Sequence, residues 1–168
     1  MLPLLEASAP ARIVSVASDA HRFGTIDFDD LQSERTYGGL PLVGAMRVYG
    51  ASKLANILFT TELARRLEGR GVTANCVHPG AVATRLGQNN GQVGVVLTRL
   101  LSPLFLTPAQ GAATSIHVAT SPDVANKSGR YFAKSRETRP SRSALDAEAA
   151  RRLWTASAEM VGLADEAT

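Results

Sequence analysis

The sequence predicts an α/β fold: a doubly wound parallel sheet of about three strands with flanking helices. Two observations carry the prediction. Short β-branched apolar runs, Arg12-Ile13-Val14-Ser15-Val16-Ala17 and Val72-Thr73-Ala74-Asn75-Cys76-Val77, have the makeup of strands buried on both faces of a parallel sheet. Stretches with helical spacing alternate with such runs, giving the order strand, helix, strand, helix, strand, helix, expected to be joined by right-handed crossovers.

Leu2, Leu4 and Leu5, followed by Glu6-Ala7-Ser8-Ala9-Pro10, read as the last turn of a helix entering a loop. After the first strand, residues 19–41 are polar, contain glycine and hold Asp27, Asp29 and Asp30 close together, so they read as a long loop. From Val43 to Arg70, Met46, Tyr49, Lys53, Leu54, Ile57, Leu58, Thr61 and Leu67 fall at steps of three and four and make one helical face, which Gly69 and Gly71 stop. The second strand ends at His78-Pro79-Gly80. A glycine-rich stretch with one apolar segment occupies 85–106. A helix from Pro108 to Thr120 follows, with proline in its first turn, then a weak strand over 129–133. The last helix spans 143–161, with Leu145, Leu153, Trp154, Met160 and Val161 as its apolar candidates.

Composition excludes several classes. The chain has 168 residues, 45% hydrophobic and 20% charged, enough apolar material for a core and too much for wholesale disorder. Eighteen Lys and Arg against fifteen Asp and Glu leave +3, which does not call for a nucleic-acid partner. The stretch 127–152 is locally basic, with Lys127, Arg130, Lys134, Arg136, Arg139, Arg142, Arg151 and Arg152 against Glu137, Asp146 and Glu148; it reads as a solvated face, with phosphate or nucleic-acid contact as the alternative. Cys76 is the only cysteine, which excludes an intrachain disulfide framework and fits a reducing cytoplasm. Met1 to Glu6 has no basic n-region, and the apolar stretch Val93 to Leu106 carries Arg99 and Pro103 and is too short to span a bilayer, so no transmembrane segment is expected. His21, His78 and His117 have no metal-ligand spacing, so no metal is expected. Trp154 reads as a core or interface anchor.

The chemistry-bearing constellation is Tyr49-Gly50-Ala51-Ser52-Lys53. Positions i and i+4 share a helix face, so the phenol and the ammonium leave the backbone side by side. Two unit charges about 5 Å apart at an effective dielectric near 20 interact by roughly 3 kcal/mol. An ammonium there eases loss of the phenolic proton, and such a phenol can exchange a proton with an alcohol or carbonyl oxygen. The spacing alone recurs by chance in many helices; its context distinguishes it. Ser18 ends the first strand, and His78-Pro79-Gly80-Ala81-Val82-Ala83-Thr84 ends the second, where ligands of open α/β sheets gather. The plainer alternatives are a turn cap at Ser18 and a strand break at Pro79-Gly80.

Ser18, Tyr49-x-x-x-Lys53 and Pro79-Gly80-x-x-x-Thr84, in this order and on these elements, resemble the second half of a short-chain dehydrogenase/reductase. The phrases from Arg12 to His21, Ser52 to Phe59, Val77 to Gly80 and Ser128 to Phe132 bring the resemblance closest to the retinol-dehydrogenase-like and WW-domain-oxidoreductase-like branch. It covers nearly the whole chain and implies a single partial domain over 1–168, the C-terminal part of a Rossmann-like sheet. The resemblance implies an NAD(P)-dependent oxidoreductase interconverting an alcohol and a carbonyl. In it Tyr49 would be the general acid/base and would also contact the cofactor, and Lys53 would assist it and hydrogen-bond the nicotinamide ribose. Ser18 would polarise the substrate oxygen, and Pro79, Gly80 and Thr84 would meet the nicotinamide end of NADP or NAD. Leu97, Leu100, Leu101, Leu104, Phe105 and Leu106 stand where the family carries its substrate lid, implying an apolar small-molecule substrate or a membrane surface, with plain packing under the lid as the alternative. The tyrosine-bearing helix is a pairing surface in the family, which leaves a homo-oligomer open.

The sequence departs from the family pattern in several places. A Gly-x-Gly-x-x-Gly turn is absent, and Gly69-Arg70-Gly71 follows a helix and opens a strand, the reverse of the order a pyrophosphate needs. The family's Asn-Asn-Ala-Gly segment and helix asparagine have no counterparts, and Ala17 replaces one of the two usual serines. The alternative is therefore a truncated, non-catalytic remnant, unable to hold the dinucleotide alone.

Overall fold

A computed structural model of the chain describes residues 1–35, 41–82 and 106–163. Its elements run α1 (Leu2–Ala7), β1 (Ala11–Val16), α2 (Pro41–Arg66), β2 (Val72–His78), α3 (Pro108–Thr120), β3 (Tyr131–Ala133), β4 (Arg136–Glu137) and α4 (Ala147–Met160). The sheet order is β1-β2-β3-β4; the first three strands are parallel, and β4 returns antiparallel beside β3. The three predicted strands are present. The two-residue β4 is an addition, reached through a tight turn in which Lys134 and Ser135 take φ of 50° and 56°.

Alternation along β2 sorts the core into two layers. Cys76, with Tyr131 of β3, packs on Leu54, Ile57 and Leu58 of α2 and Leu153 of α4. Val72 and Ala74 pack on Leu63, Ala64 and Leu67 of α2, joined by Leu2 and Leu5 of α1. Val77 and Phe132 turn to the opposite face, where they meet Val118 of α3 and Val14 of β1. The sheet is thus doubly wound, as predicted. The strands advance in one direction while α2 and α3 lie on opposite faces, so the β1-α2-β2 and β2-α3-β3 connections have opposite hands. The right-handed expectation therefore holds for only one of them.

β1 is less buried than expected: its residues are half-buried, and Val16 is 49% exposed. The reason is position. Among the described residues β1 has one neighbour, β2, whereas β2 lies between two strands and has a buried interior. Asn75, 2% exposed on β2, joins the sheet to the loop before β3: its Nδ2 donates to Lys127 O (2.7 Å), and its Oδ1 accepts from Arg130 N (3.0 Å). Asn75→Leu strands both partners, and we expect it to cost about 2 kcal/mol. A urea midpoint equal to the parent's would contradict that assignment.

The helix over 143–161 divides. Ser143–Leu145 is a 3-10 turn, and α4 starts only after Asp146, whose carboxylate caps the N–H groups of Glu148 and Ala149. Of the apolar candidates Leu153 is buried, while Leu145, Met160 and Val161 are mostly exposed. Trp154 stacks on Phe59 of α2 at 4.8 Å between centroids and lies under the Arg66 guanidinium, consistent with an anchor between the two helices. The ends of α3 match the prediction because Thr107 and Gln110 form a reciprocal capping box. The predicted stretch over 85–106, with Leu97, Leu100, Leu101, Leu104 and Phe105, lies outside the described residues except for Leu106.

Candidate active site

The carboxyl ends of β1 and β2 face the tyrosine-bearing helix. Past β1, Ala17 N donates to Val77 O at 2.8 Å, extending the parallel register to the residue before Ser18. Ala17 is 2% exposed and packs in the cluster with Leu54 and Leu58, so an apolar methyl fits where the family has a serine. Ser18 is half-buried, and its Oγ accepts from Ala20 N (3.2 Å), capping the 3-10 turn Asp19–Phe23. The turn-cap reading of Ser18 is therefore correct as far as it goes. It leaves the hydroxyl proton free of that bond.

Two glycines bring this turn against α2. A Cβ built on Gly24 would lie 2.2 Å from Gly50 C and 2.4 Å from Ala51 N, and one built on Gly50 would lie 2.6 Å from Ala20 O. The chain that follows Ser18 thus rests directly on the backbone beside Tyr49. Asn56 adds a second tie, donating from Nδ2 to Val16 O at 3.0 Å. On α2 itself, Lys53 Nζ is 5.4 Å from the centroid of the Tyr49 ring, the i,i+4 placement expected from the sequence. Both side chains are half-buried, between the sheet layer and solvent.

Pro79 and Gly80 leave the end of β2, next to this corner. Gly80 has φ +87°, a left-handed conformation that glycine adopts without strain, and a Cβ there would lie 2.6 Å from Leu106 Cδ1. Leu106 N donates to Ala81 O at 2.7 Å and Val82 bridges Leu106, so the turn is fastened to the start of the segment that leads into α3. Thr84, the remaining residue expected here, lies outside the described residues.

Two groups near the corner are not candidates for proton transfer. Burial first, then the negative charge of Asp19 beside its hydroxyl, pushes the Tyr131 phenol well above the ordinary value; it stays protonated and donates to Asp19 Oδ1 at 3.3 Å. Burial pushes the Cys76 thiol up to about 11, so it is not a nucleophile at neutral pH. Among the described residues no group of His, Cys, Asp or Glu is placed to hold a metal ion, and none of their helices is long and apolar enough to cross a membrane. In the basic stretch, Lys127 and Arg130 pair with Glu137 and Arg151 pairs with Glu148, on largely exposed side chains.

Sequence reasoning passed over His21, which is 0% exposed. Its Nδ1 lies 2.7 Å from Ser18 O and its Nε2 accepts from Ser141 N at 2.9 Å, so the neutral ring carries its proton on Nδ1 and ties the serine end of β1 to the loop after β4. Its edge packs on Tyr131, 5.3 Å between centroids. Burial, partly opposed by the Ser18 carbonyl, lowers its pKa from the ordinary 6.5. Between the folded and unfolded values the unfolded chain binds more protons. The stability supplied by the neutral ring is therefore present above pH 6.5 and is lost as pH falls through the lower folded value. Thermal stability should fall on acidification from pH 6.5 toward 5, and His21→Gln should flatten that slope. An equal slope in the variant would contradict the assignment.

The chain is similar to known proteins over most of its length. A family model described as short chain dehydrogenase matches residues 37–93. Retinol dehydrogenase 14 of Homo sapiens is 47% identical over 171 residues, covering 97% of this chain and 48% of that protein. Retinol dehydrogenase 12 of Mus musculus is 44% identical over 163 residues, with shares of 97% and 49%. The chain thus spans about half the length of the curated relatives it matches. Among solved structures, an uncharacterized protein from Mycobacterium Paratuberculosis superposes with a TM-score of 0.65 at 28% identity, covering 91% of this chain and 51% of that one. The Pseudomonas aeruginosa RhlG/NADP active-site complex gives 0.51 at 25% identity, with shares of 79% and 49%.

Proposed function

Because this chain belongs to the short-chain dehydrogenase/reductase family and is retinol-dehydrogenase-like, we propose that it carries the proton-transfer half of an NAD(P)-dependent oxidoreductase acting on an apolar alcohol/carbonyl pair. The observation that carries this reading is the corner itself: Lys53 Nζ 5.4 Å from the Tyr49 ring, with the turn after Ser18 seated on the backbone next to that tyrosine.

The donor set suits the nicotinamide-ribose end of a dinucleotide, since a phenol, an ammonium and a strand-end hydroxyl lie at the carboxyl edge of a parallel sheet. It does not extend to the pyrophosphate. Gly69 and Gly71 lie in the turn between α2 and the amino end of β2, away from this edge. When bound, a nicotinamide ring would take or supply the hydride. In the oxidising direction Tyr49 accepts the alcohol proton as the carbonyl forms; in reduction it returns one to the carbonyl oxygen. Lys53 holds positive charge beside the phenolate that this leaves and would hydrogen-bond the ribose of a bound dinucleotide. Ser18 donates to the same substrate oxygen and so stabilises developing negative charge. Pro79 and Gly80, past the end of β2, would meet the nicotinamide end, a role the resemblance also gives Thr84. Retinoids are the substrate class suggested by the names of the relatives.

A second reading is favoured by the position of β1 at the edge of the sheet among the described residues: a chain that does not hold the dinucleotide by itself and acts only in association. Fluorescence titration with NADPH and with NADH separates the two. Saturable binding of either supports the enzyme, and a linear response to both at millimolar concentration supports the non-catalytic reading.

A further inference from the structure

We propose that His78 is a positioning residue whose imidazole clamps the Pro79-Gly80 turn to Asp19, fixing the spacing between the cofactor-side turn and the serine end of β1. The inference rests on the reading above for its consequence in catalysis, but the clamp is a matter of geometry. Gly80 N donates to His78 Nδ1 at 3.4 Å, and His78 Nε2 lies 3.6 Å from Asp19 Oδ2. The first contact requires Nδ1 to be an acceptor, which puts the ring proton on Nε2, toward the carboxylate. The second is longer than a direct hydrogen bond and acts as a charge-dipole attraction.

Asp19 is the residue after Ser18, and its carboxylate is itself held. Tyr131 donates to Oδ1 at 3.3 Å, and Arg22 Nε lies 3.5 Å from the same oxygen. The ring of His78 therefore lies between a carboxylate that Tyr131 and Arg22 also approach and a glycine amide whose turn is closed on its other flank by Leu106. The titratable and charged groups around it are Asp19, Arg22 and His21 of the 19–23 turn and Tyr131 of β3. Burial lowers the pKa of His78 from the ordinary 6.5 against the opposing charge of Asp19, which keeps Nδ1 free to accept at neutral pH. A turn held from one side only would let the nicotinamide end drift relative to the serine. Such a displacement weakens transition-state alignment more than it weakens binding.

Amide hydrogen exchange at Gly80, read by NMR at pH 7 on the full chain, tests the clamp without turnover. His78→Phe removes both contacts and should speed exchange at Gly80 by about tenfold, with amides of β2 unchanged. His78→Asn, whose carbonyl can reach the Nδ1 position, should restore most of the protection. Exchange at Gly80 unaltered by Phe, or raised equally by Asn and Phe, would overturn the proposal. Titration of the same samples with NADPH then separates the two levels. A parent chain that fails to bind removes the catalytic reading while the Gly80 result stands. Where binding is present, His78→Phe should lower kcat by more than it raises the dissociation constant. An equal effect on both would overturn the positioning role.

Discussion

Replacing Tyr49 with Phe is expected to lower turnover by roughly 10²–10⁴-fold while leaving the fold intact, measured in a form of the protein that binds the nucleotide. The phenol ring contributes half-buried surface, which Phe retains. The hydroxyl is what the proposed chemistry uses. Without it the substrate oxygen has Ser18 as a donor but no group to carry the proton away or return it. The melting temperature should stay within a few degrees of the parent's, and NADPH affinity should change little, because the ribose contact proposed for Lys53 does not use the Tyr49 hydroxyl. A variant with parental turnover would remove Tyr49 from the mechanism. A variant that unfolds would show instead that the Tyr49 hydroxyl is needed for the fold.

The second large effect is structural. Gly24→Ala should destabilise the protein by about 3 kcal/mol, near the upper end for an overpacked contact, and so lower the melting temperature by about 10 °C for a chain of this size. All three atoms that the new methyl would meet belong to the backbone of Gly50 and Ala51, so no side chain can swing aside. Gly24 itself has ordinary extended backbone, with φ −88°. Its requirement is therefore space and not conformation. Relief requires the 19–24 turn to part from α2, the contact that seats the turn after Ser18 on the backbone next to Tyr49, and activity should fall beyond what the lost stability explains. A melting temperature within 2 °C of the parent's would show that the two backbones are not in contact in solution.

What could be read from the sequence divides along physical lines. The strand cores were legible because β-branched runs bounded by glycine and proline leave few alternatives. The ends of α3 were legible because Thr107, Pro108 and Gln110 are a local cap. The break at Asp146 was hidden, since a 3-10 turn continues the apolar spacing of the helix it precedes, although an aspartate capping two amides is a start signal in hindsight. β4 is two exposed residues, too short for its side chains to carry a pattern. The exposure of β1 depends on which strands neighbour it, and that is not written in its own residues. In the site, Tyr49 and Lys53 were legible because a helix converts spacing into geometry. The Gly24–Gly50 approach and the roles of Asp19, His21 and His78 were not, because each joins segments far apart in sequence. The two histidines stood beside strand ends, and that was the only signal.

The convergence of Tyr49 and Ser18 on one oxygen atom is tested most directly by a crystal structure of the protein with NADP⁺ and a small apolar ketone. The account predicts the ketone oxygen within about 2.6–3.2 Å of both the Tyr49 hydroxyl and Ser18 Oγ, with Lys53 on the ribose. A ketone oxygen that meets neither hydroxyl, or Tyr49 and Ser18 side chains turned to different cavities in the occupied site, would contradict it.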